Sequence, residues 1–362
     1  MPKHNTEKKV VIVGAYGGAN IGDEAILYAV VRLVRLYSNY KDVTVVTLLD
    51  GGEFNKYQAK EYPKLGVQWI AVSRFTSLLR LLWRSDVIIG GGQIIDGMYG
   101  ATLPLIQFFV ALCCRLSGGR VMIGGVGATD NYTLLTKIIY KSIFILSNVI
   151  ILRDAASLNR VQNLIGREHK LRYAPDFVFS LKADFPKAEV RRYAVLAVHH
   201  APHLSLLNHE VATKIALHMS ERFGRNFVIV AHDLRPDFDL SFAKSVASNV
   251  AKLSNAQAPA VKIFSSTYEC LEFYASATVV VSSRMHPLIL AAISGCRCVP
   301  LAGSDKVSEL CKTLELNAVL QEKLSSDFAN YFRPQLPKTS ILDVLCLEVE
   351  NAAKEMMDTT QK

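Results

Sequence analysis

Several features that point to a nucleic-acid-binding, secreted or metal-binding protein are missing from this sequence. The formal net charge is +9, but the Lys and Arg residues are scattered and form no recognisable nucleic-acid-binding module. The seven cysteines are odd in number and include no CxxC pair, which is typical of reduced core residues. The N-terminus is polar and has no apolar signal segment. We therefore expect a cytoplasmic protein that binds no nucleic acid and favours anionic partners.

Only one uncharged stretch is long enough to suggest a membrane span. It covers residues 97–114, contains Gly100 and Pro104, and follows a glycine-rich turn. Because its length is marginal for spanning a bilayer, we interpret it as a buried helix. Peripheral contact with the inner face of a membrane stays open as an alternative.

Short apolar runs alternate with helical patterns along the chain. Strand-like runs occur at 10–13, 43–48, 67–72, 87–89, 121–123 and 149–152, and again, after a charged break at 181–192, at 193–198, 227–230, 261–264, 278–281 and 298–301. Amphipathic stretches such as 75–83 and 134–146 lie between them. The pattern predicts an α/β fold of two Rossmann-like doubly wound domains, 1–182 and 193–340. The last segment, 341–362, is predicted to form a helix that packs back on the first domain.

Glycine-rich turns follow two predicted strands of the first domain. The first strand leads into Gly17, Gly18 and Asn20, and the run at 87–89 leads into Gly91 and Gly92. The dinucleotide fingerprint does not fit, and an acidic residue stands where a P-loop has its phosphate-binding lysine. These glycines either allow a ligand to approach the backbone or form tight turns, and the sequence leaves both interpretations open.

Arg153 and Asp154 follow the predicted strand at 149–152 directly. We expect Asp154 to cap the next helix. Arg153 would then face the crevice into which the carboxyl ends of the strands open, where a guanidinium suits a carboxylate or phosphate. The alternative is an Arg–Asp pair that only holds the turn.

The strongest local signal is the segment Ser282-Ser283-Arg284-Met285-His286-Pro287, between an apolar strand and an apolar helix. Pro287 suits the first turn of that helix. The amides of the helix N-terminus, Arg284 and His286 would together form an anion site with a titratable group. The pattern therefore indicates Arg284 and His286 as catalytic candidates.

Other histidines are weaker candidates. His199, His200 and His203 lack a nearby Cys or carboxylate cluster, so a zinc site is disfavoured. His232 and Asp233 follow the run at 227–230 and are candidates for acceptor binding. Exposed loop polarity is the alternative for this pair.

The motifs occur in an order that resembles the polysaccharide pyruvyl transferase family. They extend from Gly14 to Lys306 and read GAYGGANIGDEAIL, DVIIGGGQIID, ILRDAAS, APD, SSRMHPLILAA and GSDKV. The resemblance implies two Rossmann-like domains that face each other, as in glycosyltransferase-B folds. It also implies transfer of pyruvate from phosphoenolpyruvate to sugar hydroxyls as a ketal, in surface or exopolysaccharide assembly.

The resemblance assigns roles to particular residues. The family's donor-binding arginine falls on Arg153, and its Arg-Leu-His triplet falls on Arg284, Met285 and His286. Met285 replaces the usual leucine, and Pro287 stands where a small residue is common. The implied partners are phosphoenolpyruvate and a sugar acceptor, which can be lipid-linked, and the scheme needs no metal or cofactor.

Two other functions are compatible with the same motifs. A nucleotide-sugar glycosyltransferase shares the architecture and would bind a nucleotide in its second domain. A non-catalytic anion-binding α/β protein would bind its ligand tightly without releasing phosphate.

Overall fold

The chain forms two compact α/β units. A computed structural model describes residues 8–18, 20–47, 62, 64–92, 94–97, 100–166, 170–185, 188–200, 207–235, 237–254, 257–324 and 328–358. The first unit comprises residues 1–18, 23–180 and 345–362. The second comprises residues 19–22 and 181–344.

Twelve β-strands are present in the described part of the chain. They are β1 Lys9–Val13, β2 Asp42–Thr47, β3 Gln68–Ala71, β4 Asp86–Gly90, β5 Val121–Val126, β6 Val149–Leu152, β7 Leu171–Tyr173, β8 Tyr193–Ala197, β9 Phe227–Val230, β10 Ala260–Lys262, β11 Ala277–Ser282 and β12 Arg297–Pro300. The central strands are buried almost throughout. Their continuous apolar runs are typical of parallel sheets that helices cover on both faces.

Helices connect the strands. They are α1 Ile21–Tyr37, α2 Phe75–Leu82, α3 Thr102–Leu116, α4 Leu134–Leu146, α5 Ala155–Ile165, α6 His209–Phe223, α7 Asp239–Ser254, α8 Thr267–Ala275, α9 Met285–Ile293, α10 Asp305–Leu314, α11 Gln321–Leu324, α12 Phe328–Tyr331 and α13 Thr339–Met357. In the described residues, 3₁₀ helices also occupy Phe177–Asp184 and Gly224–Asn226.

The first sheet has seven parallel strands in the order β3-β2-β1-β4-β5-β6-β7. The second has five parallel strands in the order β10-β9-β8-β11-β12. In both sheets the order reverses beside the strand that comes first in the chain, β1 or β8. This is the doubly wound Rossmann-like arrangement, in which ligands bind beyond the carboxyl ends of the strands.

Each sheet carries its own apolar core. Helices α2 to α5 cover one face of the first sheet with side chains such as Leu78, Val110, Ile143 and Val161. In the second unit, α6 and α7 pack on β8, β9 and β11. The C-terminal helix α13 contributes to the first unit: the sulfur of Met356 lies against Gly124 in β5.

Most predicted elements are confirmed to within a few residues, and β6 and β9 have the predicted limits. Strand β7 is not predicted, because three residues are too few to show a periodic pattern. From the sequence, Gly124 and Gly125 are predicted to form a glycine-rich turn after the run at 121–123, but they lie inside β5, where the strand register shifts.

Within the uncharged stretch at 97–114, residues 102–114 belong to helix α3, as predicted, but the helix is buried along one side only. Pro104, Val110 and Cys114 are buried, whereas Leu105 and Leu116 are exposed. No helix within the described ranges has the length and apolar character needed to cross a membrane.

Candidate functional site

Hydrogen bonds of Ser282 and Ser283 fix the turn between β11 and the charged residues that follow it. The Ser282 hydroxyl donates to the carbonyl oxygen of Ala197 at 2.6 Å and accepts the backbone N–H of Arg284 at 2.9 Å. Ser283 accepts the backbone N–H of His199 through its hydroxyl at 2.8 Å. These bonds tie the turn to the end of the neighbouring strand β8, so the residues that follow have a defined position.

Helix α9 begins at Met285, with Pro287 in its first turn as predicted. Its N-cap residue, Arg284, makes no side-chain capping hydrogen bond. An N-terminus without a side-chain cap presents backbone N–H groups and the positive end of the helix dipole, which favour an anion. Arg284, Met285 and His286 are all partly accessible to solvent at this end.

Arg284 is held along one edge by a buried carboxylate. Its Nε lies 2.5 Å from Asp239 Oδ2, and its Nη2 donates to Asp239 Oδ1 at 2.7 Å. Asp233 Oδ2 lies further away, at 3.8 Å from Nη2. The described residues show no hydrogen bond to Nη1. A guanidinium held in this way has a fixed plane and still presents donors on its other edge.

Asp239 is a site residue that the sequence analysis missed. Its carboxylate accepts the backbone N–H groups of His200, His232 and Asp233 at 3.0–3.3 Å, in addition to pairing with Arg284. Burial raises the pKa of Asp239, and the Arg284 guanidinium and the His200 N–H oppose the rise. The only sequence signal for Asp239 is an acid in the first turn of α7, which ordinarily indicates helix stabilisation.

His286 packs against the segment Asn20–Gly22, which groups with the second unit. A Cβ atom on Gly22 would lie 2.4 Å from His286 Nδ1, so only glycine leaves room for the imidazole in this position. The segment is tied in place because Ile21 N–H donates to the carbonyl oxygen of His232 at 2.9 Å. Asn20 accepts the Gly22 N–H through its side chain at 3.0 Å. Asn20 is therefore next to His286, and Gly22 is a second residue that the sequence analysis missed.

Two other histidines of the second unit are held in the neutral form. Burial and the nearby Arg284 lower the pKa of His199 to about 3. Burial and the same arginine lower the pKa of His232 well below its ordinary value. The His232 Nε2 atom also pairs with the Tyr274 hydroxyl at 2.7 Å.

His232 and Asp233 do not belong to an exposed loop, so that alternative is wrong. Each is only 1% exposed. The Asp233 carboxylate accepts two hydrogen bonds from Arg235, at 2.9 and 2.6 Å. Burial leaves neither side chain a free surface for a sugar, and acceptor binding at these residues stays a prediction.

Arg153 lies in the first unit, at the end of β6, and is also paired. Its Nη1 atom is 3.5 Å from Asp176 Oδ2, and its Nε atom is 3.7 Å from Asp154 Oδ2. Asp154 caps α5, as predicted, by accepting the Ser157 N–H at 2.6 Å. Gly127 lets the guanidinium lie flat, since a Cβ there would be 2.8 Å from Nε. Arg153 is buried, and the Arg–Asp pair expected as the alternative is present.

The glycines of the first unit have packing roles. Gly17, Gly91 and Gly92 have positive φ angles, which glycine adopts without strain. Gly17 donates its N–H to the buried carboxylate of Glu24 at 2.6 Å. A Cβ on Gly91 would lie 2.7 Å from the Tyr16 ring, and one on Gly92 would lie 2.6 Å from Asp23 Oδ1. These contacts account for the glycines as turn residues, and a donor-binding role for them and for Gly18 stays a prediction.

The second unit thus brings together Arg284, Met285, His286 and Asn20, with His232 and Asp233 buried behind them. Arg153 and the glycine turns belong to the first unit. Neither group resembles a metal centre: the described residues contain no cluster of three or more His, Cys, Asp or Glu side chains that could hold a metal ion. His203 lies outside the described residues.

Three solved structures illustrate the likeness of the fold to known proteins. The UDP-GlcNAc 2-epimerase of Methanocaldococcus jannaschii has a TM-score of 0.58 and 12% identity, over 97% of each chain. The Neisseria meningitidis UDP-GlcNAc 2-epimerase, bound to UDP-GlcNAc, has a TM-score of 0.56 and 12% identity over 97% of this chain and 94% of that one. Anabaena HepE, in complex with UDP and glucose, has a TM-score of 0.58 and 10% identity over 98% and 96%. At such low identity the likeness shows the fold alone.

A family model gives a more specific result. The model described as polysaccharide pyruvyl transferase matches residues 20–305, which is most of the chain and includes Asn20, Arg153 and the Arg284–His286 turn. A search of curated proteins by sequence finds no match.

Proposed function

Because this chain belongs to the polysaccharide pyruvyl transferase family and is therefore a transferase, we propose that it moves pyruvate from phosphoenolpyruvate to two hydroxyls of a sugar. The product is a cyclic ketal on a surface polysaccharide or exopolysaccharide. The observation that carries the proposal is the turn after β11. There, Arg284 is oriented by Asp239 beside His286 at a helix N-terminus that has no side-chain cap.

Phosphoenolpyruvate carries a phosphate and a carboxylate, and both need cationic partners. Arg284 and the N–H groups at the start of α9 are suited to one of these anionic groups. Asp239 neutralises one edge of Arg284, so its role is to orient the guanidinium and it does not compete for the Nη1 edge. Arg153 is the proposed partner of the donor's other anionic group, with Asp176 orienting it.

The reaction requires one proton to be added to the donor and one to be removed from each hydroxyl. Protonation of the methylene carbon of phosphoenolpyruvate makes C2 electrophilic, and a sugar hydroxyl forms a C–O bond there and loses its proton. The second hydroxyl then forms the other C–O bond and loses its proton as the C2–O bond to phosphate breaks, so the one surplus proton leaves with the inorganic phosphate. We assign the proton transfers to His286. His199 and His232 are unsuited to act as acids near neutral pH because each has a lowered pKa.

The remaining residues are assigned supporting roles. Met285, which precedes His286 in the chain, and Asn20 are proposed to shape the donor site. Gly17, Gly18, Gly91 and Gly92 are proposed to let the donor approach the backbone of the first unit. His232 and Asp233 are proposed to act on the acceptor indirectly, through Arg235 and the backbone. We place the reaction in the cytoplasm, at the inner face of the membrane, with an acceptor that is carried on a lipid.

A nucleotide-sugar reaction is the second candidate, and the UDP-bound structures of the same fold favour it. Calorimetric titration with phosphoenolpyruvate and, separately, with UDP-GlcNAc and UDP-glucose distinguishes the two. We expect saturable binding of phosphoenolpyruvate, weakened in Arg284→Lys, which keeps the charge but loses the planar fork. Saturable binding of a UDP-sugar without binding of phosphoenolpyruvate would contradict the proposal. Phosphate release that depends on a sugar acceptor would exclude a binding protein without turnover.

A further inference from the structure

The outer surface of three helices in the first unit exposes many large apolar side chains. We call this surface the α2–α4 face. Trp83, next to the end of α2, is 66% exposed, and Leu134, at the start of α4, is 77% exposed. The apolar residues of the face are Phe75, Leu79, Trp83, Leu105, Leu116, Leu134, Leu135, Ile138 and Ile145.

The three helices are neighbours, so these residues share one surface. The Phe75 ring of α2 stacks on the Phe109 ring of α3, with 5.1 Å between the ring centroids. At the other end, the hydroxyl of Ser117, which follows α3, donates to the Leu82 carbonyl and accepts the Arg84 N–H. Helix α4 lies against α3 on its other side: Arg115 of α3 donates to Asn148, close to the end of α4.

The exposed residues are not the ones that hold the fold together. The inner sides of the same helices pack on the sheet through residues such as Leu78, Leu82, Val110, Ile139 and Ile143. A surface helix whose outer side faces only water has polar residues on that side, opposite the apolar residues that pack on the core. Helices α2 and α4 have apolar residues on both sides, which indicates that the α2–α4 face meets a second apolar phase.

The charges on the face have one sign. Its exposed cations are Arg74, Arg80, Arg84, Arg115, Lys137 and Lys141. The sequence contains no Asp or Glu within residues 73–85, 101–118 or 133–146, which form the three helices and their ends. Such a surface complements a partner that is apolar and negatively charged.

We propose that the α2–α4 face binds the surface of an anionic phospholipid bilayer. The apolar side chains enter the boundary between headgroups and acyl chains, Trp83 lies at headgroup level, and the Lys and Arg side chains meet lipid phosphates. A symmetric dimer through this face is disfavoured, because it would bring the cations of one copy against those of the other. The proposal concerns a surface of the first unit and does not rest on the identity of the donor or acceptor.

Vesicle flotation with the full chain tests the proposal. We expect the protein to float with vesicles of phosphatidylcholine and phosphatidylglycerol, to float much less with phosphatidylcholine alone, and to be released by salt. The chain has two tryptophans, Trp69 and Trp83. A blue shift of the fluorescence on binding should therefore disappear in Trp83→Phe. Failure to bind the anionic vesicles overturns the proposal.

Two pairs of variants locate the binding surface. Lys137→Gln/Lys141→Gln should weaken binding by roughly fivefold for each cation removed, whereas the matched control Lys244→Gln/Lys252→Gln on α7 should not. Leu135→Ser/Ile138→Ser should also lose binding, whereas Leu253→Ser/Leu336→Ser, which changes equally exposed residues of the second unit, should retain it.

Equal binding by the face variants and their controls would refute the assignment to this face. Analytical ultracentrifugation of the same proteins tests the dimer. If Leu135→Ser/Ile138→Ser abolishes self-association but leaves vesicle binding intact, the face is a protein interface and the proposal is wrong.

Discussion

At the residue scale, removal of Arg284 is expected to lower both stability and donor binding, because Arg284 pairs with a buried carboxylate. Arg284→Ala would leave the Asp239 carboxylate buried without its cationic partner, which costs about 3–5 kcal/mol of stability when a buried pair is broken. We expect the double variant Arg284→Ala/Asp239→Asn to recover much of that stability, because the remaining amide is neutral. Donor binding should stay lost in both variants. Denaturant unfolding and calorimetry measure the two effects separately.

The comparison between the single and the double variant decides whether Arg284 binds the donor or only neutralises Asp239. Donor binding that returns in the double variant together with stability would mean that Arg284 only neutralises Asp239. Arg153→Ala is a parallel case in the first unit, where Asp176 would lose its ion pair with Arg153. There too, binding must be measured on protein shown to be folded.

His286 is expected to affect turnover more than binding. His286→Gln keeps a hydrogen-bonding side chain of similar size that cannot transfer a proton in the same way. Since general acid–base catalysis typically contributes about 10²–10⁴ in rate, turnover should fall in that range while donor affinity changes little. Steady-state kinetics and calorimetry on the same preparation provide the test. An equal loss of affinity and turnover would show that His286 is mainly a ligand for the donor.

Gly22 offers an independent test of the position of His286. Gly22→Ala places a methyl group where the imidazole now lies, so the ring must move. Because Gly22 is in the first turn of α1, alanine also favours the helix by up to about 1 kcal/mol. We therefore expect turnover to fall sharply with little loss of stability, measured by kinetics and thermal unfolding. Parent-like turnover would contradict a catalytic role for the imidazole in its present position.

At the element scale, the C-terminal helix α13 is expected to stabilise the first unit. Arg172 pairs with Glu355 at 2.6 Å, and the Met356 sulfur packs against Gly124 of β5. Met356→Ala should lower the free energy of unfolding by about 2–5 kcal/mol, because it empties a buried site. Leu347→Ala on the same helix is the matched control, since Leu347 is exposed and its loss should cost about 0.5 kcal/mol or less. Equal effects of the two changes would argue against this packing.

At the scale of the whole molecule, histidines with lowered pKa values make stability depend on pH. His199, with a pKa lowered to about 3, and His232, also lowered, bind fewer protons when folded than when unfolded. Their contribution to the free energy of unfolding is therefore fully present above about pH 6.5, the pKa of unperturbed histidine. It is lost as the pH falls towards 3. The unfolding midpoint in denaturant should decrease between pH 7.5 and 5, and less so in His199→Asn. A variant with the parent's pH dependence would exclude His199 as a source of the effect.

The sequence by itself determined the periodic and local features of this protein. Apolar runs of strand length with helices between them predict two parallel sheets, because both faces of each strand must be buried. Short-range features were equally predictable: Asp154 caps α5, and Pro287 lies in the first turn of α9. The same local reading placed Arg153, Arg284 and His286 at strand ends, where ligands of such sheets bind.

Only the tertiary structure decided what those side chains contact. The pairing of Arg284 with Asp239 joins the turn after β11 to the start of α7, and the packing of Gly22 on His286 joins residues from distant parts of the chain. Neither contact leaves a periodic signal, since each depends on which strands the sheet brings together. The same holds for α13, whose amphipathic pattern requires an apolar partner but does not specify which one. Local sequence encodes the direction in which a side chain leaves its element, whereas its partner is chosen by the packing of the elements.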